Sequence, residues 1–333
     1  LPSAFSSKNQ ILEPVYGRLR QRIVDVIATR QDFGIDYDAP LGDPGLFGPG
    51  SVTWIIHRDF PGMMAGGVAS LMLQALHPRA LAGVWDHSRL RDDGLNRLRR
   101  TTTFVAATTY AARDDAERLI ERVRRIHDHV NGTTPGGEPY SAHDPELLTW
   151  VHCTEMVCFI AGFERYNGTH VAPWQVDRYF DETRRIAERL GAVNVPASQA
   201  EMNEYFAAVQ PELKFDHRAQ EAIRWLETIQ LPLAAAGLSR RLFLGAGAAL
   251  LPDWALELMG RRAMDRVTDR AAAVALRRAA PMLRGAMGNG VALRAARRCG
   301  ATEAALDLAN VPGDGPPPDP AHQFASTSGL EYS

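Results

Sequence analysis

The sequence predicts an all-α fold, a helical core with additional helices toward the C-terminus. Three observations point there. Apolar residues recur at helical spacing along most of the chain. No stretch alternates apolar and polar residues as a half-buried strand does. There is no internal repeat and no GxGxxG motif following a strand.

Taken in order, residues 1–10 read as a lead-in. Ile11, Val15, Leu19 and Ile23 are spaced by four, which predicts a helix over 11–31. Residues 33–51, FGIDYDAPLGDPGLFGPGS, are too rich in Gly, Pro and Asp for regular structure. SVTWIIHRDFP follows, and then GMMAGGVASLMLQALHP, apolar nearly all round and therefore a buried helix ended by Pro78. A helix is expected over 92–109 and another over 114–130, where Asp114 and Glu117 have capping-box spacing. One straight helix would hold Arg97 and His127 about 45 Å apart. A turn near 110–114 lets the two segments fold back as a hairpin. Residues 131–143 read as a loop. Asp144 then caps a helix that begins at Pro145. Further helices are expected at 173–190, 199–209, 216–228, 238–259, 261–283 and 300–309. One domain over 1–310 and a Pro-rich tail over 311–333 complete the reading.

The bulk properties narrow the function. Of 333 residues, 45% are hydrophobic and 23% charged, an ordinary globular balance. The formal net charge is −2, so no polybasic footprint for nucleic acid exists. Lys8 and Lys214 are the only lysines, which leaves lysine-based covalent chemistry few candidates. Cys153, Cys158 and Cys299 form no zinc spacing and no paired framework, which suggests a reducing compartment. No secretory signal pattern opens the chain. The apolar stretches 66–76 and 242–252 fall short of the roughly 20 residues of a spanning helix. A cytoplasmic protein without a transmembrane segment is expected, with 242–251 read as a buried helix.

Two stretches stand out. In RVRRIHDHVNG (122–132), His127 lies on the stripe formed by Leu119, Ile120, Val123, Ile126 and Val130, whereas His129 falls among Arg122, Arg125 and Asp128. His127 is expected to face inward, either as a core histidine bonded to a carbonyl or as a metal or haem ligand. His77 suits a C-terminal capping role, and His152 an internal hydrogen bond. His152 and Glu155 could share a face. The di-iron pattern runs Glu-x-x-His, however, and no second pair appears. In RLRRTTTF (97–104), Arg97, Arg100 and Thr101 share one helix face, either as a solvated basic face or as an inward clamp for a carboxylate.

These pieces resemble the MpaB-like oxygenase family, which contains the rubber oxygenase known as latex clearing protein. The matching segments are GPGSVTWIIHRDFPGMMAGG, LMLQALHPRALAGVWDHS, NRLRRTTTFV, RVRRIHDHVNG, YSAHDPELLTWVHCTEM and FERYNG, and more weakly RYFDETRRIAERLG and LLPDWALELMG. Together they cover about residues 45–260. The resemblance implies a globin-like helical core holding haem b, with His127 as the proximal iron ligand and Arg97, Arg100 and Thr101 beside the haem. Arg100 stands where the rubber enzyme has a lysine. That enzyme's catalytic glutamate has no clear counterpart, Asp86 being the nearest acidic residue. Both departures argue against rubber cleavage.

The expected function is therefore that of a haem-dependent oxygenase or oxidase. It would act on a small or apolar organic substrate with O2 or peroxide, with Arg100 and Thr101 as the catalytic candidates above the iron. The alternatives are a non-catalytic haem or gas sensor, a carrier of an apolar ligand, and a metal-free helical interaction protein.

Overall fold

The computed structural model describes residues 34–87, 90–228, 236–287 and 290–313, together with Gly17 and Gln21. The helix expected over 11–31 and the tail after 313 lie outside the described residues. All-α architecture is borne out.

Helix α1 (Val52–His57) and α2 (Phe60–Gln74) form from the two apolar stretches after the Gly-rich loop. Ser51 Oγ accepts from the Trp54 N–H and Asp59 from the Gly62 N–H, so both helices start with a capped donor. α3 (Pro78–His87) opens on the proline that α2 could not have absorbed. α4 (Leu90–Tyr110) and α5 (Arg113–His127) break at the buried Ala111 and Ala112 and pack against each other, as the hairpin reading required. The expected capping box does not close this turn. Ala112 has no capping side chain, and the Asp43 carboxylate accepts from the Arg113 N–H instead, reaching across from the loop.

Two features of the next segment differ from expectation. Residues 131–143 contain a small antiparallel hairpin, β1 (Asn131–Thr133) on β2 (Pro139–Ser141). α6 (Pro145–Asn167) starts on Asp144 and ends on Gly168 at φ 82°, as a left-handed cap does. Its 23 residues are long and apolar enough to cross a membrane by length and composition, which the shorter stretches had not suggested, and 67% of its most apolar window is buried inside the protein.

Then follow α7 (Pro173–Leu190), α8 (Gln199–Val209) and α9 (His217–Leu226), close to their expected bounds. The helix expected over 238–259 is two, α10 (Ala236–Ala248) and α11 (Asp253–Leu258), because Pro252 cannot continue a helix. α10 buries Phe243, Ala246 and Ala248, as a core helix. α12 (Ala263–Ala286) is longer than expected and α13 (Val291–Arg298) was not expected at all. The 300–309 helix is replaced by short 3-10 turns at Glu303–Leu306 and Leu308–Asn310.

The centre is the antiparallel pair α2 and α6, with α10 packed on α2 and α12 on α10. Glycine sets its spacing. A Cβ on Gly62 would stand 2.9 Å from the Gly162 carbonyl carbon, and one on Gly66 would stand 2.5 Å from the Cys158 carbonyl oxygen. Neither obstacle is a side chain that can swing away. Gly67, one residue on, would meet only Phe159 Cε1 at 3.9 Å.

Gly66→Ala is therefore expected to lower the unfolding free energy by about 1–3 kcal/mol through forced separation of the helices. Gly67→Ala should be neutral or stabilising by roughly 0.5–1 kcal/mol, as helix propensity alone dictates. Denaturant titrations of the two variants check this. Equal midpoints would remove the backbone seam as the determinant.

Candidate functional site

A chamber of about 1050 Å³ runs between α2, α4 and α6 and continues to the C-terminal turns. It is at the upper end of the size of small-molecule sites. One side is supplied by α6, whose Val151, Glu155, Phe159 and Phe163 recur every fourth residue and form a single helical stripe. Facing residues include Gly67, Leu71 and Gln74 of α2 and Thr101, Thr102 and Val105 of α4. At the far end stand Tyr37, Val291–Arg294 and the turn 303–308.

His57, at the end of α1, is the most constrained polar group on this wall. Its Nδ1 lies 2.8 Å from Thr109 Oγ1 and its Nε2 2.9 Å from the Tyr179 hydroxyl. Thr109 donates its own hydrogen to the Val105 carbonyl at 2.7 Å. It therefore accepts from His57, which places the proton on Nδ1 and leaves Nε2 to accept from Tyr179. Burial pushes this ring down to about 3, with neighbouring His152 adding to the effect. With both nitrogens used, His57 joins α1, α4 and α7 and has no lone pair left for a ligand.

Charged groups elsewhere on the lining are paired. Asp59 is 3% exposed and accepts from the Gly62 N–H, from Asn167 Nδ2 and from Arg284. Arg58 pairs with Glu303 across the C-terminal end. Asp307 caps its own turn through the Ala309 N–H. Glu155 differs from these. It is partly exposed and lines the chamber, and desolvation raises its carboxyl to about 7, opposed only by a hydrogen bond to the neighbouring Gln74.

The sequence-derived residues fall in different places. Thr101 lines the chamber. Arg100 is exposed on α4. Arg97 lies within α4, but its side chain is outside the described residues. His127 is the last residue of α5 and half-buried, whereas His129 is exposed, so helical phase separates them as expected. The stripe itself is shorter than expected. Ala116, Leu119 and Ile120 are buried, but Ile126 is 53% exposed, because cover fades toward the end of α5. The buried Nδ1 of His127 has no hydrogen-bond partner, its ring centroid is 6.1 Å from that of His143, and burial shifts its pKa downward. His127 is not among the residues that line the chamber.

His77 is buried in the turn between α2 and α3 with Nδ1 unpartnered, and its ring is pushed down to about 4. Its Nε2 lies 3.7 Å from Glu212 rather than on the last carbonyls of α2. His152 is buried and also lowered to about 4. Asp86 is taken up by the Tyr140 hydroxyl at 2.7 Å and lies off the chamber. Among the described residues no group of three or more His, Cys, Asp or Glu side chains could hold a bare metal ion. Sequence reasoning did not single out His57, Tyr179 or Gln74, and Glu155 entered only as a partner for His152. A carboxylate among Val151, Phe159 and Phe163 at steps of four was the available signal.

Comparison with known proteins gives one family match, the model described as ER-bound oxygenase mpaB/B'/Rubber oxygenase, catalytic domain, over residues 54–285. It begins and ends later than the 45–260 expected from sequence segments and takes in α12. No curated protein and no solved structure matches the chain.

The raised carboxyl of Glu155 has a measurable consequence. A group whose folded pKa lies above its unfolded value of 4.5 favours the fold most fully below pH 4.5 and loses that contribution as the pH rises through about 7. Thermal midpoints of wild type and Glu155→Gln, measured from pH 4.5 to 8, should diverge in favour of the variant across that window, by roughly several degrees, and then run parallel. Parallel curves throughout would show that Glu155 ionises freely.

Proposed function

Because the chain belongs to the family of mpaB-type and rubber oxygenase catalytic domains, we propose that it is an oxygenase- or oxidase-type enzyme that holds an apolar organic substrate in the chamber and binds haem b through His127. The observation that carries the substrate half of this reading is the chamber, roomy and largely apolar, with few polar groups left unpaired; the haem half rests on His127, which lies outside the chamber lining.

His127 supports the haem assignment on its own chemistry. An imidazole kept neutral by burial, with a buried nitrogen that no protein group satisfies, is in the form that binds iron. When bound, the haem would supply the oxygen and electron-transfer chemistry that side chains lack. Arg97 would offer its guanidinium to the haem carboxylates, Arg100 would be the catalytic candidate on the oxidant side, and Thr101 lines the chamber. The apolar stripe of α6 keeps water from the substrate, and burial raises the Glu155 carboxyl to about 7, so protonated and ionised forms both exist near neutral pH. O2 or peroxide is the proposed oxidant. All three cysteines are free and buried, which suits a reducing, cytoplasmic setting. The volume of the chamber also favours a second reading, a carrier of an apolar ligand without turnover.

Absorption spectra of wild type and His127→Ala, both produced with ample haem supply, test the cofactor. A Soret band is expected in wild type and its loss or strong alteration in the variant. An unchanged spectrum in the variant would move the ligand away from His127, and a colourless, iron-free wild type would overturn the haem reading. Oxidant consumption by the wild-type holoprotein, with a reductant and O2 or with peroxide, separates the enzyme from the carrier. Binding without turnover of any candidate substrate favours the carrier.

A further inference from the structure

We propose that Glu155 is the polar anchor of the chamber, and that the substrate is an apolar molecule carrying one oxygen function, a carbonyl or hydroxyl, which this carboxyl holds. The inference rests on the reading above that the chamber is the substrate site.

Among the described residues four carboxyl side chains reach the lining: Asp59, Glu155, Glu303 and Asp307. Arg284, Arg58 and a backbone N–H engage three of them. Among the described residues no cation pairs with Glu155. The nearby hydroxyls have spent their hydrogens locally, Ser70 on the Gly67 carbonyl at 2.9 Å and Thr154 on the Val151 carbonyl at 2.8 Å. The Gln74 amide nitrogen reaches Thr154 Oγ1 at 3.2 Å, and the Gln74 side chain also hydrogen-bonds Glu155. Beyond that one bond, Glu155 presents to the cavity hydrogen-bonding capacity that no described residue consumes.

An ionised carboxylate among apolar neighbours is costly, so the neutral acid is the form this wall favours. A neutral carboxyl donates its O–H, and the complementary group is an oxygen acceptor. A bare hydrocarbon would bury the carboxyl without a partner. A ligand with one oxygen restores the lost hydrogen bond while its body fills the space beside Val151 and Phe159. A cationic amine would require the ionised form.

Three probes of one size separate these cases: tetralin, 1-tetralone and 1-aminotetralin, titrated into the full chain by calorimetry. 1-Tetralone is expected to bind wild type about ten-fold more tightly than tetralin, the scale of one buried hydrogen bond. Glu155→Leu should erase that ratio while tetralin binds as well as before or better. Glu155→Gln, which keeps an N–H donor, should retain most of it, and its thermal midpoint reports whether the fold is intact. Equal binding of tetralone and tetralin to wild type, survival of the preference in Glu155→Leu, or tightest binding of the amine would each overturn the anchor and leave the chamber as a site. Failure of all three probes to bind would remove the chamber reading and the anchor with it. The haem spectrum is a separate readout and decides neither result.

Discussion

The architecture depends on the backbone contact between α2 and α6. Where Gly62 meets Gly162 and Gly66 meets Cys158, two helices touch main chain to main chain, with no side chain between them. Such closeness leaves no room to repack, since the obstacles to an added atom are main-chain groups of the facing helix, joined at Gly62 by the Asp59 carboxylate. It fixes the distance and the antiparallel phase of the central pair. Phase in turn decides which residues of each helix are left to face elsewhere. Val151, Glu155, Phe159 and Phe163 meet the chamber because Cys158 and Gly162 are committed to the seam. α10 extends the same logic, with Gly247 placed so that a Cβ would stand 2.8 Å from Val68.

Around that pair, a few buried polar groups tie the other helices together. Asp59 caps α2 while holding the end of α6 through Asn167 and α12 through Arg284. His57 joins Thr109 of α4 to Tyr179 of α7. Glu182 of α7 accepts from both the N–H and the hydroxyl of Thr53 and from Arg178, which fastens the start of α1. Each is worth little net in isolation, yet each would be expensive to leave unpaired. They act as constraints on geometry more than as sources of stability, and they enclose the chamber with groups already satisfied. Glu155 is conspicuous against that background.

The helical fold was legible because helices leave a local record. Asp144 followed by Pro145 marks a start, and a run of Gly, Pro and Asp marks the irregular segment before α1. Other elements leave none. The strands of the 131–141 hairpin are three residues long, too short for alternation to register, and Gly132 is there to admit the Tyr140 ring, a neighbour eight positions away. The cap of α5 comes from Asp43, which no local pattern reveals. The same limit governs the site. Helical phase told His127 from His129, but the covering of α5 depends on helices distant in sequence, and so Ile126 was misjudged. Glu155 and His57 acquire meaning only when α2, α4 and α7 are set around them.

The far wall of the chamber comes from outside the matched region. Residues 54–285 define the family, yet Tyr37, Val291–Arg294 and Glu303–Leu308 close the cavity. Arg298 anchors this wall to the early loop through the carbonyls of Tyr37 and Asp43. The same terminal segment is part of the core. Leu308 and Val311 pack with Val52 and Phe180, and Ala292, Ala295 and Leu306 pack with Trp54 and Tyr110. Gln175 and Arg178 of α7 donate to the Leu308 and Pro312 carbonyls. The residues that shape the space offered to a ligand therefore also hold α1 and α7 in place, so a change in what is admitted is felt by the fold itself.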